Sequence, residues 1–481
     1  MIGADMPESP LALRGRFVHG VASRSGGADQ LSCDLQLVDD GLVVVGDDGR
    51  ITHFVTSTDD VDELLDGAPD IARAVIQMEP HEFCVPGLID LHVHAPQYQF
   101  TGTATDLPLL KWLKAYVFPA ERRCSDVDLA RQLYDSLVAR LLSHGTTTAV
   151  YFASIHLEAT KVLVDVCRSR GQRAFVGKVA MDQHGGEGYQ ETTEEALRDT
   201  EALIHYCHER EPGHGDGATR LVNPVVTPRF IPSCSLPLLK GLGELAAKHA
   251  SRGVWVQSHI AETYDEMAFV DSLHPGRRDA EIFDELGLLT CRCVMAHGVH
   301  LERGEMDLLA RRRSGVACCP ISNSMFSAGE FQMVEAVSRG VRVGLGTDIA
   351  GGYSPSLLVN GRLAVLASKV LARENERAEI GFKAAFCTAT IGGARALGLE
   401  DHLGSFAVGK QFDALVVSGT AGVYETMVLD TRAHCAHEAV GKDGWAGHTP
   451  TSTLAAEFER WFNLGDDRNC KKVYVRGRAV H

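Results

Sequence analysis

The feature that most constrains the fold is an alternation of eight short apolar runs with longer charged stretches between residues 87 and 350. The runs are rich in Val, Thr and aromatic residues, as β-strands are, whereas the stretches between them have a helical period. The expected strands lie at 87–94, 146–152, 174–181, 221–228, 254–260, 293–299, 315–320 and 341–348. Eight strand–helix units in this order predict an α/β fold, a (β/α)8 TIM barrel, with its active site at the carboxyl ends of the strands.

The stretches between the runs support a barrel over an open sheet. Two of them end in Gly145 and Gly253, as helices often do. A doubly wound open sheet is the alternative, but the first expected strand is not followed by the glycine-rich fingerprint of a nucleotide-binding fold.

The two flanks of the barrel read as short strands and turns. We predict that residues 1–85 and 405–481 are the N-terminal and C-terminal halves of one small β-sandwich domain, and that the barrel, residues 86–404, is inserted between them. The segment 183–220 has Gly-rich ends, and we expect an insertion or mobile loop with a helix inside it.

Composition excludes several classes of function. A formal net charge of −16 argues against a nucleic-acid partner, which needs clustered Lys and Arg. No window approaches the roughly 18 apolar residues of a membrane span, and the first residues do not resemble a secretory signal. Thirteen cysteines without repeated spacing form a poor disulfide framework and suit a reducing compartment. We therefore expect a cytoplasmic protein without a membrane partner.

Two histidines end the first expected strand, in the stretch "GLIDLHVHAPQYQF". Residues two apart on a strand point to the same side, so His92 and His94 could share a metal ion. Taken alone, the pair is more typical of hydrogen-bonded histidines near a loop.

Three further groups fall at the ends of later strands: His259 on the fifth, His297 on the sixth and Asp348 on the eighth. Singly, a core histidine or a helix-capping aspartate would explain them. Together with the histidine pair they predict a metal site, because imidazoles with one carboxylate suit Zn²⁺ and leave a position for water. A bound divalent ion lowers the pKa of that water to about 7.

Such a site also needs a group that moves protons. Glu262 lies three residues after His259 and is the candidate, against the alternative of a solvated acid in the first turn of a helix. The fourth strand ends in "VTPRF", without the Lys that a two-metal centre would use, so we expect one metal. Lys178, on the third strand, is expected to be structural. The zinc pattern of cytidine-deaminase-like enzymes is excluded, because the chain contains no PCxxC.

At this point the residues resemble a known group. The HxH on the first strand, the later histidines and aspartate, and the stretch 388–417 resemble the amidohydrolase superfamily, over about residues 11–481. Within it, several long blocks resemble the guanine deaminase family: "PGLIDLHVHAPQYQFTGTATDLPLLKWLKAYVFPAE", "RAFVGKVAMD", "VTPRF", "QSHIAE" and "NLGDDRN". In place of the family's "CPNSN" the chain has "CPISNS", with Ile321 for Asn, which touches no expected metal ligand.

The resemblance implies hydrolysis of a C–N bond in a cyclic amidine: guanine and water become xanthine and ammonia. It implies one Zn²⁺ per subunit and a homodimer. The implied metal ligands are His92, His94, His259 and Asp348. Glu262 would move a proton from the attacking water to a ring nitrogen, Asp348 would also accept a proton, and His297 would orient the attacking oxygen.

The resemblance also implies a guanine pocket. Its residues would be Gln97, Trp112, Leu113, Arg229 and Phe230, beside His259, Glu262 and His297. Arg229 can donate to a carbonyl oxygen, Gln97 can both donate and accept, and the aromatic rings offer flat apolar surface. Without the resemblance, the apolar members would be taken for core residues and Arg229 for a surface ion-pair partner.

Two alternatives remain. One is an amidohydrolase that deaminates a different ring, such as a pterin or another purine; Arg229 and Gln97 favour an oxo-purine. The other is a catalytically dead scaffold protein of the same fold. Such a protein is expected to have lost ligands or the acid, and here all of them are present.

Overall fold

The structure is a computed structural model that describes residues 11–22, 31, 33–211, 217–373, 378–418 and 454–481. Its elements are numbered along the chain. The strands are β1 Leu11–Ala22, β2 Cys33–Val45, β3 Ile51–Val55, β4 Val75–Gln77, β5 Glu82–Pro86, β6 Leu88–His94, β7 Thr146–Phe152, β8 Arg173–Gly177, β9 Val179–Ala180, β10 Val222–Pro228, β11 Trp255–Ile260, β12 Cys293–His297, β13 Gly315–Cys318, β14 Arg342–Leu345, β15 Ala414–Ser418, β16 Cys470–Val475 and β17 Arg478–Ala479.

At least one helix lies between most successive barrel strands. The helices are α1 Thr58–Gly67, α2 Pro69–Ala74, α3 Leu109–Trp112, α4 Phe118–Arg122, α5 Val127–Ser143, α6 Leu157–Arg170, α7 Thr193–Arg210, α8 Leu236–His249, α9 Tyr264–Leu273, α10 Asp279–Glu285, α11 Arg303–Arg312, α12 Pro320–Phe326, α13 Met333–Ser338, α14 Leu357–Leu371, α15 Phe382–Cys387, α16 Gly393–Leu397 and α17 Leu454–Leu464.

The strands β6 to β14 form the barrel. They pair in parallel in the order β6-β7-β8-β10-β11-β12-β13-β14, and the short β9 extends β8 along β10. Backbone hydrogen bonds then join the two ends of this row: Asp348 N donates to His92 O at 2.8 Å, and His94 N donates to Ile349 O at 2.9 Å. These contacts close the ring and confirm the expected (β/α)8 barrel.

Strands from both flanks of the chain form a second, mixed sheet. Its order is β17-β16-β15-β5-β1-β2-β3, with β4 also paired to β1. The C-terminal flank contains, in addition, helix α17, which the strand pattern did not indicate; its buried Phe458, Trp461 and Phe462 pack in the main hydrophobic core. Domain boundaries at residues 85/86 and 404/405 stay a prediction.

A buried ion pair connects the chain-end sheet to the barrel. Arg173 is the first residue of β8, and Asp413 lies directly before β15. Arg173 Nε donates to Asp413 Oδ2 at 2.9 Å. Both side chains are almost fully buried. The pair lies at the amino end of a barrel strand, far along that strand from the expected active site.

The helix expected inside segment 183–220 is present as α7, but the interpretation of the segment as an insertion is wrong. Helix α7 lies between β9 and β10, and it packs against its neighbours α6 and α8 and against β10, so it is the third outer helix of the barrel. Thr192 and Glu195 form a capping box at its start. The Gly-rich ends of the segment made a regular barrel helix resemble an insertion; residues 212–216 lie outside the described ranges.

One cysteine pair was not expected. Cys33 in β2 and Cys387 at the end of α15 form a disulfide across 354 residues of sequence. Such a separation leaves no local spacing from which the pair could be inferred. Within the described ranges, no helix is both long and apolar enough to cross a membrane.

Candidate active site

The carboxyl ends of the barrel strands bring the expected metal-binding groups together. His94 and His297 end their strands, and Asp348 follows β14 by three residues. All the groups are buried, with exposed fractions of 8% or less: His92, His94, His259, His297 and Asp348. Residues more than 250 positions apart in sequence therefore share one small volume.

The distances within this group are those of a metal-binding cluster. Asp348 Oδ1 lies 3.1 Å from His92 Nε2 and 3.5 Å from His94 Nε2. His94 Nε2 lies 3.1 Å from His259 Nε2. The ligand atoms of His92, His94 and His259 all lie within 4.8 Å of one another. Atoms bound about 2.1 Å from one ion are separated by about 4 Å or less, and the three pairs of atoms at 3.1–3.5 Å meet this limit, so the cluster fits a single metal.

Hydrogen bonds fix how two of the rings are presented. His259 Nδ1 donates to the carbonyl oxygen of Arg229 at 2.5 Å, which turns the lone pair of Nε2 toward the cluster. His297 Nδ1 lies 3.2 Å from Asn323 Oδ1, and the carboxamide oxygen can only accept, so the ring nitrogen donates. His297 Nε2 then faces Glu262 and Asp348 with its lone pair.

The electrostatics of the cluster also suit a cation. Burial lowers the pKa values of His92, His94 and His259 well below the usual histidine range, so the rings are neutral and can act as ligands. The buried His92 Nε2 receives no hydrogen bond of proper geometry from the described residues. A metal ion would satisfy this atom and offset the Asp348 charge.

Glu262 stands at the edge of the cluster. Its Oε1 lies 3.6 Å from His297 Nε2, and its side chain is 7% exposed. Burial and, second, the charge of Asp348 raise the pKa of Glu262 well above its usual range. A raised pKa makes a carboxyl group better suited to hold a proton and deliver it to a substrate.

A cavity opens over these groups. It is lined by His94, Gln97, Leu109, Trp112, Leu113, Arg229, Phe230, His259, Glu262, His297, Ser322, Phe326 and Asp348. Every expected pocket residue is in this lining, and His92 lies beneath it in the cluster. The sequence prediction missed Leu109, Ser322 and Phe326, of which Phe326 packs on the ring of Trp112 at 5.0 Å between centroids.

The family model of amidohydrolases matches residues 83–480. The chain belongs to the amidohydrolase family. Amidohydrolases are metal-dependent hydrolases, and the histidine–aspartate cluster gives this member a candidate metal site.

Relatives of this amidohydrolase are similar to it over nearly their whole length. Guanine deaminase of Mus musculus is 37% identical, with 100% of this chain and 98% of that protein aligned. Guanine deaminase of Escherichia coli is 31% identical, with 98% and 97% aligned. The crystal structure of guanine deaminase from C. acetobutylicum, with guanine bound in its active site, is 30% identical with a TM-score of 0.82, covering 98% of this chain and 100% of that one.

Asp90 stabilises the segments that carry the histidine–aspartate cluster, and the sequence prediction missed it. Its carboxylate accepts hydrogen bonds from His92 N at 3.2 Å, Thr347 N at 2.9 Å and Thr347 Oγ1 at 2.6 Å. It thereby ties the first strand to the segment that carries Asp348. Strand alternation places residues 90, 92 and 94 on one side, so Asp90 could have been found by the argument that found the histidines.

The backbone at two site residues is strained. His297 has φ 70° and Asp348 has φ 49°, in the left-handed region that side-chain-bearing residues seldom adopt. Such conformations persist where surrounding contacts enforce them. Here the hydrogen bonds from Asp348 N to His92 O and from His297 Nδ1 to Asn323 Oδ1 are among those contacts.

Glu121, on α4, was also missed. Its carboxylate accepts hydrogen bonds from Arg229 and Gln97, the two residues expected to read the polar edge of a base. An acid in the otherwise apolar stretch "AYVFPAE" was the available signal. Lys178, by contrast, lies outside the cavity lining and pairs with Glu191 at 2.5 Å, which agrees with a structural role.

Proposed function

We propose that this amidohydrolase is a guanine deaminase, which hydrolyses guanine to xanthine and ammonia. The observation that carries the proposal is that one cavity joins the histidine–aspartate cluster and Glu262 to Arg229 and Gln97. Full-length similarity to guanine deaminases, one of them with guanine bound, supports the same substrate. A different aminated ring or a dead scaffold has no observation of its own in its favour.

The metal in the proposal is one Zn²⁺ per subunit, held by His92, His94, His259 and Asp348. Neutral imidazoles with one carboxylate are a donor set that zinc prefers, and the unsatisfied His92 Nε2 supports a ligand there. When bound, the ion supplies Lewis acidity that makes water nucleophilic near neutral pH.

The chain's own residues then handle protons. Water adds to the ring carbon that bears the amine, while Glu262, with its raised pKa, delivers a proton to the adjacent ring nitrogen. His297, neutral because burial lowers its pKa, orients the attacking oxygen through Nε2. Asp348 Oδ2, 4.0 Å from that nitrogen, is placed to accept a proton from the water. Asp348 then passes its proton to the amine, Glu262 takes the proton of the added hydroxyl group, and the C–N bond breaks as the carbonyl forms and ammonia leaves.

The pocket residues hold the base for this attack. Arg229 donates to the carbonyl oxygen of guanine, and Gln97 hydrogen-bonds the same polar edge. Phe230, Trp112 and Leu113 are buried and line the cavity, where they pack on the flat ring and exclude water. Adenine has no carbonyl for Arg229, so the pocket favours an oxo-purine.

The proposal also includes a homodimer and a cytoplasmic location. Leu366 and Val370 on α14 are 57% and 53% exposed, an apolar face that a second subunit could cover. Ten of the described cysteines are free thiols, which supports a reducing compartment, although Cys33 and Cys387 are bonded to each other. Sedimentation of the purified protein tests the homodimer, and thiol titration in cell extract tests whether the cysteines are reduced, as a cytoplasmic location requires.

The test of function is ammonia release by purified, metal-analysed protein offered guanine, adenine, cytosine and a pterin in parallel. We expect turnover of guanine and one zinc per chain. Glu262→Gln should keep zinc and lose about 10²–10⁴-fold in kcat, because proton delivery is lost. Bound zinc without guanine turnover would reject the substrate, and absence of both would reject the metal site as well.

A further inference from the structure

The carboxylate of Glu121 accepts hydrogen bonds from both Arg229 and Gln97, the two polar cavity residues proposed to bind the base. Glu121 is fully buried, and Arg229 Nη1 donates to its Oε2 at 2.7 Å while Nη2 donates to its Oε1 at 3.1 Å. Gln97 Nε2 donates to Oε1 at 2.9 Å, and Tyr189 Oη donates to Oε2 at 2.5 Å. Four hydrogen bonds from three side chains therefore meet on one acid that does not itself line the cavity.

The geometry of the Arg229 contact leaves part of its guanidinium free for another group. Both bonds to Glu121 leave from the terminal nitrogens, one N–H from each. A guanidinium has five N–H groups in one plane, so Nε–H and one further N–H on each terminal nitrogen remain. Because Arg229 lines the cavity, its plane, and with it the direction of these donors, is set by the two-point contact with Glu121.

Gln97 is fixed in the same way. Its Nε2 donates to Glu121 and its Oε1 accepts from Ala350 N at 3.3 Å, which determines which end of the carboxamide faces which neighbour. One N–H of the amide remains beyond these bonds. Glu121 thus fixes the orientation of the N–H donors of two residues: Gln97 in the turn after β6 and Arg229 at the end of β10.

The buried pair of Glu121 and Arg229 also carries no net charge. The guanidinium carbon of Arg229 lies 5.2 Å from the centroid of the Phe118 ring, and this cation–π contact further restricts the Arg229 side chain. A guanidinium neutralised and oriented in this way presents N–H donors to a neutral carbonyl more than it attracts an anion.

We propose that Glu121 is a positioning residue for substrate recognition: it aligns the donors of Arg229 and Gln97 with the carbonyl edge of a neutral oxo-purine. This inference rests on the proposed function. It assigns a specificity role to a residue that touches no substrate and acts through Arg229.

The test compares variants of the zinc-loaded full chain in steady-state guanine deamination. Glu121→Gln keeps the shape but removes the charge, and we expect kcat/KM to fall about 10–100-fold through a rise in KM, with zinc content unchanged. Tyr189→Phe removes one of the four bonds and should raise KM about 3–10-fold, which keeps the proposal testable if Glu121→Gln does not fold.

Glu191→Gln is the matched control. Glu191 is another buried carboxylate in an ion pair, with Lys178, and it lies outside the cavity lining. We expect it to lower the unfolding midpoint as Glu121→Gln does, without a change in KM. A cycle with Arg229→Met separates a positioning role from a structural one: in that background Glu121→Gln should lower kcat/KM no further, since Glu121 acts through the missing residue.

The outcomes are distinguishable. An unchanged KM in both Glu121→Gln and Tyr189→Phe, an equal rise in KM in Glu191→Gln, or full additivity with Arg229→Met would each overturn the positioning role while the deaminase function stands. Absence of guanine turnover in the unchanged protein would overturn the proposed function, and this inference with it.

Discussion

The main-chain nitrogen of Asp348 donates a 2.8 Å hydrogen bond to the carbonyl oxygen of His92. The bond joins the end of the first barrel strand to the segment after the last, and it lies between two of the candidate metal ligands. The carboxylate of Asp90 makes the same connection through Thr347. The hydrogen bonds that close the barrel are therefore also the ones that bring His92 and Asp348 together.

Removal of the carboxylate ligand should abolish metal binding and catalysis together. In Asp348→Asn the neutral amide is a weaker ligand and no longer balances the charge of a cation. We expect zinc content well below one per chain and at least about a 10³-fold loss of guanine turnover, since the nucleophile depends on the metal. Metal analysis and ammonia release measure both. His53→Ala, at an exposed position on β3, is the control and should change neither zinc content nor activity. If Asp348→Asn kept zinc and activity, the assignment of Asp348 as a ligand would be wrong.

Loss of the partner of His297 should lower activity and leave the metal in place. Asn323→Ala removes the oxygen that accepts from His297 Nδ1, so the ring can rotate or change tautomer. We expect a fall in kcat/KM of about 10–100-fold, the usual effect of such orienting groups. Ser324→Ala, at the exposed neighbouring position, is the control. Unchanged kinetics in Asn323→Ala would show that Asn323 does not orient the ring.

The buried pair between Arg173 and Asp413 should contribute to stability and not to catalysis. Asp413→Ala leaves a buried guanidinium without its carboxylate, which costs about 3–5 kcal/mol of unfolding free energy. Chemical denaturation followed by far-UV circular dichroism measures the loss, and KM for guanine should not change. The double variant Arg173→Met/Asp413→Leu should recover part of the stability, because it removes both charges. A loss below about 1 kcal/mol in the single variant would contradict this account.

His19 should make the protein less stable in acid. It is buried beside Phe54 and Phe406, and burial lowers its pKa to about 4. Above pH 6.5 the ring is neutral in both states. As pH falls below 6.5 only the unfolded chain takes up this proton, so stability declines until about pH 4, by about 3 kcal/mol in total.

The measurement is the free energy of unfolding of the protein and of His19→Gln across this pH window. The difference between the two should shrink as pH falls from 6.5 to 4, because the variant lacks the titrating group. A constant difference across this pH window would show that His19 does not stay neutral in the folded protein.

Much of the site could be predicted because its signals are local. Strand alternation puts His92 and His94 on one side, and the succession of strands puts His259, His297 and Asp348 at the same end of the barrel. Glu262 follows from its short distance along the chain from His259. In segment 183–220 the expected helix is present as α7, and only its interpretation as part of an insertion was wrong, because the glycines at both ends suggested a loop outside the barrel.

The sequence by itself determined the barrel, the types of its candidate metal-binding groups and the family resemblance, because periodicity, residue chemistry and motifs are properties of short stretches. Only the tertiary structure decided which distant residues meet. Glu121 reaches Arg229 across 108 residues, and Cys33 reaches Cys387 across 354. Such contacts depend on how helices and strands pack, which leaves no periodic trace in the chain. The orientation of the Arg229 and Gln97 donors is therefore decided by the fold, from residue types that the sequence already supplies.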